Sequence, residues 1–248
     1  TNQTVYDLMV LPKDLKPFDT LDFCKLVNLP YDELKEILKK LSPTTTKLVA
    51  VSKTKPAKAI EELYDQGQRV FGENKVQELV AKYEALPKDI RWHMIGHLQS
   101  NKVKYIAPFV SLIHGVDSVK LLQEINKQGQ KVQRTIPCLL QFHIAQEDTK
   151  FGLSLEEATT FLSSPEFQAL KHIQLCGVMG MATFTEDTNQ VRREFQSLRS
   201  IFNTLKSVHF STQDEFSEIS MGMSDDYAIA VEEGSTMVRV GSKIFGQR

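Results

Sequence analysis

The sequence predicts an α/β protein, and within that class a single (β/α)8 TIM barrel preceded by a helical N-terminal segment. Three observations carry this expectation. From Lys47 onward, short apolar runs alternate with amphipathic stretches of helical period, the pattern of parallel βαβ units. Eight such runs fall within residues 47–248, which suits a barrel at the compact end of its size range; a doubly wound open sheet is the alternative. The residues that carry chemistry cluster where the runs end, on the face where barrels hold their sites.

Residues 1–46 have a different texture and form the first of two predicted segments. Pro12, Pro17 and Pro30 interrupt them. Leu21, Cys24 and Val27 share helical spacing, and Tyr31, Leu34, Ile37, Leu38 and Leu41 do so more strongly. A short helix near 20–28 and a better one near 31–41 are expected, with Pro30 at the start of the second. Residues 42–46 are a linker.

The barrel proper is expected over 47–248. Its strand runs are Leu48–Ser52, Arg69–Phe71, Trp92–Ile95, Val110–Val116, Pro137–Ile144, Ile173–Met179, Glu218–Met221 and Met237–Val240. Runs this apolar suit strands buried on both faces. Helical patterns lie between them, as in Val76-Leu79-Val80-Tyr83 and Val191-Phe195-Leu198-Phe202. Ser154 followed by Glu157 forms a capping box that starts one helix.

Composition bounds the function. With 248 residues, 41% apolar and 25% charged, the chain is an ordinary globular protein. A net charge of −1 gives no general attraction to nucleic acid or anionic membranes, and neither is an expected partner. No run approaches a membrane span, and no signal peptide is visible at the start of the sequence. Cys24, Cys138 and Cys176 are odd in number, the last two in apolar runs, which predicts reduced thiols and a cytoplasmic location.

Taken in order, the strand ends present Lys53, then Gly72-Glu73-Asn74, then His93 with Gly96-His97, then His114 and Asp117, then His143. Met179-Gly180-Met181, Met221-Gly222-Met223-Ser224 and Arg239-Val240-Gly241-Ser242 follow. Lys53 at the lip of a core is open to two accounts. Its stem can pack while its head reaches water, or desolvation can lower its pKa and make the amine a nucleophile. The loops after strands 7 and 8 often hold phosphate in barrels. Ser224, predicted to cap the helix after it, and Gly241-Ser242 have the small, hydroxylated character such a cradle needs. A turn and a cap are the simpler account of the same residues.

A reactive lysine and a phosphate cradle on one face suggest pyridoxal 5′-phosphate, which also needs a partner for its ring nitrogen. Arg239 is the candidate, two residues before Gly241 and so on the same face of its strand. A guanidinium cannot shed its proton, so buried there it needs an acceptor, either that nitrogen or a barrel carboxylate.

Five stretches carry a resemblance: Val51-Ser52-Lys53, Phe71 to Glu78, His93 to Lys102, Ser220 to Asp226, and Val238 to Gly246. Together they resemble the pyridoxal-phosphate homeostasis proteins, in the family's order and over about residues 47–246. The resemblance implies the barrel of the alanine racemase N-terminal-domain type (PLP fold type III) without the second domain. It implies pyridoxal 5′-phosphate held as an aldimine on Lys53, Ser224, Gly241 and Ser242 at the phosphate, Arg239 at the ring nitrogen, and Asn74, His93 and Met223 lining the pocket. The implied role is vitamin B6 homeostasis, as a carrier or regulator without robust catalysis, with cofactor-requiring apo-enzymes as recipients. The sequence departs from the family at Lys75, where tyrosine is common, at Ser242, where threonine is common, and over the N-terminal 45 residues.

A racemase-like enzyme is the second expectation. It needs a further proton-transferring base, and Tyr64, Tyr83 and Tyr105 fall in predicted outer helices. A third is a scaffold whose residues 1–45 bind a protein partner. No metal site is expected, since His93 and His97 straddle a strand end without further ligands. A monomer is expected, with no second domain to build an interface.

Overall fold

The structure, a computed structural model, describes residues 32–146 and 151–246. The helix expected near 20–28, and Cys24 with it, lie outside the described residues. Residues 32–41 form a helix, α1. Its Leu34, Ile37 and Leu41 are buried in the main core while Leu38 stays exposed, the one-sided stripe that the 3.6-residue period requires.

Eight strands follow: β1 (Lys47–Val51), β2 (Val70–Glu73), β3 (Arg91–Met94), β4 (Leu112–Val116), β5 (Ile136–Gln141), β6 (Ile173–Met179), β7 (Glu218–Ser220) and β8 (Met237–Val240). They close into a barrel in chain order. β1 is parallel to both β2 and β8, with Val51 opposite Gly72 on one side and Val49 opposite Arg239 on the other. That closure excludes the open sheet. The helices that matter below are α2 (Ala57–Asp65), α3 (Val76–Ala85), α4 (Val103–Ile106) and α5 (Val119–Lys131). They are followed by α6 (Leu155–Leu162), α7 (Pro165–Gln168), α8 (Thr188–His209), α9 (Tyr227–Glu232) and α10 (Ser242–Phe245).

Strand residues alternate between two cores, as the pleat demands. Leu48 and Ala50 face outward into the layer shared with the helices. Val49 faces inward and packs with Leu112, Leu139, Met179 and Met237 in the barrel interior. The capping box forms as expected: Ser154 Oγ accepts from the Glu157 N–H, and Glu157 accepts from the Ser154 N–H. Ser224 does not cap α9. Residue Asp226 takes the N-cap position, without a side-chain cap bond.

Candidate cofactor site

A cleft of about 550 Å³ opens at the C-terminal ends of the strands, within the size range of small-molecule sites. It brings together seven of the eight expected residues: Lys53, Asn74, Met223, Ser224, Arg239, Gly241 and Ser242. Lys53 is half-buried and sits in the turn that leaves β1. Asn74 follows β2 and can approach because its neighbour on the next loop is Gly96. A Cβ there would stand 2.7 Å from the Asn74 carbonyl oxygen and 2.9 Å from its Cα. The loops after β7 and β8 meet where the Gly241 N–H donates to Ser224 Oγ at 3.3 Å. Instead of capping α9, the Ser224 hydroxyl joins the two loops expected to hold phosphate.

Arg239 is buried beneath these loops. Its Nη1 donates to Ser220 Oγ at 2.6 Å and its Nη2 to the Gly180 carbonyl at 3.2 Å. Among the described residues it forms no ion pair. Burial lowers its pKa to about 10, against an opposing pull from Asp226. A buried guanidinium without a carboxylate is costly unless an acceptor completes it. A cleft with this cation, a lysine and a hydroxyl–amide cradle fits pyridoxal 5′-phosphate.

His93 stands apart from the expected site. It lies in the barrel interior two residues below Ile95, which reaches the cleft in its place, and it opens on a second cleft at the opposite mouth. Successive inward residues of a strand are about 6.6 Å apart, so His93 occupies the layer beneath. There its Nδ1 meets His114 Nε2 at 2.9 Å, and His114 Nδ1 meets Ser220 Oγ at 2.9 Å. A continuous line of side chains therefore runs from Arg239 through Ser220 and His114 to His93. Burial lowers both histidines, His93 to about 3 and His114 well below the ordinary value, so both are neutral at pH 7.

The cleft has members beyond the expected ones. His97, a strand-end residue with no role expected of it, lines the cleft, pairs through Nδ1 with Asp117 Oδ2 at 2.8 Å, and stacks on Phe151. Gln141 lines it from β5 and donates to the Phe151 carbonyl at 2.9 Å. Lys82 lies behind the Lys53 turn. A lysine on the inward face of α3, three residues after Leu79, was a visible sign of it. Burial raises the Glu73 carboxyl against the lowering pull of Lys82 and Ser52. A larger depression of about 680 Å³ lies on the flank between α5 and α6, lined by Asp117, Glu156, Glu157 and Glu166 among others, with no lysine or arginine among the described residues. Among the described residues, no three His, Cys, Asp or Glu side chains are grouped to hold a metal ion, and no helix is long and apolar enough to cross a membrane.

Fold and site together define the class, a barrel of the alanine racemase N-terminal-domain type, whose family model matches residues 31–248 and so takes in α1. The chain is 38% identical over 203 residues to the pyridoxal phosphate homeostasis protein of Aquifex aeolicus, covering 82% of this chain and 87% of that one. It is 40% identical over 213 residues to the Mus musculus protein of the same name, covering 82% and 77%. The chain belongs to the pyridoxal phosphate homeostasis protein family. Among solved structures, PipY of Synechococcus elongatus superposes with a TM-score of 0.81 at 34% identity, covering 88% of this chain and 100% of that one. The same protein with PLP bound gives 0.78. Alanine racemase of Bartonella henselae, 16% identical with a TM-score of 0.66, shares the fold over 89% of this chain and 59% of its own length.

Proposed function

We propose that the chain binds pyridoxal 5′-phosphate in the C-terminal cleft and serves vitamin B6 homeostasis as a carrier or regulator, handing the cofactor to apo-enzymes that need it. The observation that carries this reading is the Arg239 guanidinium, buried without a carboxylate partner among the described residues and lining the same cleft as Lys53. The cofactor supplies an aldehyde that a lysine amine attacks, with loss of water. Lys53 holds it covalently, and Ser224, Gly241 and Ser242 hold its phosphate. Arg239 donates to the ring nitrogen, which keeps a proton off that atom. Asn74 and Met223 wall the cleft, and His93 acts from the layer below. The chain works as a monomer in the cytoplasm, where burial keeps the Cys138 and Cys176 thiols protonated and inert.

Purified protein mixed with pyridoxal 5′-phosphate is expected to turn yellow, and borohydride should fix one cofactor per chain at Lys53. Lys53→Ala is expected to remove both results. A wild-type protein that stays colourless overturns the reading.

A racemase-like activity is the second reading, and His97 is what favours it. Asp117 orients the ring through Nδ1, and among the described residues no hydrogen bond engages Nε2, which can accept a proton beside the cleft. The test is deuterium wash-in at Cα of alanine by the loaded protein, lost in His97→Gln; no wash-in removes this second reading.

A further inference from the structure

The turn that carries Lys53 is held from both sides by one buried ammonium. Lys82 of α3 is 7% exposed. Its Nζ donates to Glu73 Oε1 at 2.6 Å, to Glu78 Oε1 at 2.7 Å and to the Ser52 carbonyl at 2.8 Å. Those three bonds use the whole donor capacity of the ammonium. Both carboxylates then reach the turn. Glu73 Oε1 accepts from Ser52 Oγ at 2.6 Å, and Glu78 Oε1 accepts from the Thr54 N–H at 2.6 Å. The residues immediately before and after Lys53 are therefore tied to the same nitrogen.

Two features set this cluster apart from a simple stabilising ion pair. Thr54 has φ +65°, a left-handed conformation that a β-branched residue adopts only when its surroundings impose it. Glu73 is fully buried, yet its Oε2 has no hydrogen-bond partner among the described residues. A buried charge cluster with an orphan acceptor stabilises less than apolar packing of the same volume. What it does supply is a fixed path for the backbone on both sides of Lys53.

We propose that Lys82 is the positioning residue for Lys53, holding Ser52 and Thr54 through Glu73 and Glu78 so that the Lys53 amine stands at one place in the cleft. The proposal rests on the reading of Lys53 as the cofactor lysine. Its consequence falls on condensation, in which the Lys53 nitrogen adds to the aldehyde carbon and the carbonyl oxygen leaves as water. Binding of the phosphate by the β7 and β8 loops is independent of it.

The experiment compares two ligands. Pyridoxal 5′-phosphate can condense with an amine; pyridoxine 5′-phosphate carries an alcohol in place of the aldehyde and cannot. Condensation is followed by stopped-flow absorption, and affinity for the alcohol by calorimetry. For Lys82→Met, condensation is expected to slow about tenfold or more while affinity for pyridoxine 5′-phosphate stays within about twofold. Lys82→Arg should recover part of the rate. Glu78→Ala, at a partly exposed position, frees the Thr54 N–H and removes one of the three acceptors of Lys82, leaving the Glu73 and Ser52 contacts in place, and should slow condensation about threefold. If Lys82→Met lacks a cooperative melting transition, Glu78→Ala decides. Unchanged condensation in the folded variants overturns the proposal, as does an equal loss of condensation and alcohol binding. If wild type forms no borohydride-fixed link, or Lys53→Ala keeps one, the assignment of Lys53 fails instead, and that result does not depend on the Lys82 variants.

Discussion

Among the described residues, Arg239 brings a full charge into the barrel with a hydroxyl and a carbonyl alone to receive it. Such a group costs the cofactor-free protein stability that bound ligand returns. Arg239→Met is therefore expected to leave the stability of the cofactor-free protein within about 1 kcal/mol, the lost hydrogen bonds offset by relief of desolvation. The same substitution should move the absorption band of the bound cofactor and leave the Lys53 link intact. Urea titration and absorption spectroscopy measure the two effects, and an unchanged spectrum removes the assigned contact. At this scale the placement of Lys53 and Arg239 in one cleft was legible, because each is a charged residue at the end of an apolar run. The sequence was a poor guide to His93, because the depth of a side chain inside a barrel depends on strand stagger, which local residues do not encode. His97 and Asp117 were both visible as strand-end residues; that they pair across neighbouring loops was not.

The eight strand runs were legible because parallel strands buried on two faces must be apolar throughout. Ile173–Met179 and Met237–Val240 match the observed strands. The other runs shift at one or both ends, where a neighbouring strand decides which residues are paired. Gly177 in β6 shows what the run itself concealed. It has φ +149°, and a Cβ there would lie 1.8 Å from the Glu218 carbonyl oxygen of β7. Backbone of β7 occupies that space, and the register of β5 with β6 shifts beside it. Gly177→Ala is expected to cost about 3 kcal/mol or more, as a lower denaturation midpoint. A loss under about 1 kcal/mol would mean that β7 can withdraw. α3 teaches a related lesson. Its apolar period was plain, yet Lys82 on its inward face meets Glu73 of β2 and Ser52 beyond β1, contacts that arise only once β1 pairs with β2 and α3 packs over both.

For the whole molecule, the two neutral histidines set a dependence on acid. Their folded pKa values lie below the unfolded value of about 6.5. Between about pH 6.5 and the folded values, the unfolded chain binds more protons than the native one, so stability falls as pH falls. For His93 the window reaches down to about 3. Each histidine adds at most about 1.4 kcal/mol per pH unit to the slope. Denaturation midpoints between pH 7 and 4 are expected to drop, and His93→Asn should flatten that drop. A flat wild-type profile would show that both rings titrate alike in the folded and unfolded chain.

The same two rings give the barrel a direction. Among the described residues the Ser220 hydroxyl meets Arg239 and His114. Arg239 can only donate, so the hydroxyl proton goes to His114 Nδ1. His114 then carries its own proton on Nε2 and gives it to His93 Nδ1, and His93 carries its proton on Nε2. His93 is 7% exposed beside the far mouth, whereas His114 is wholly enclosed. Heavy water entering from that side therefore labels the rings in sequence, the outer before the inner, and the centre of the barrel keeps the record of its last solvent longest.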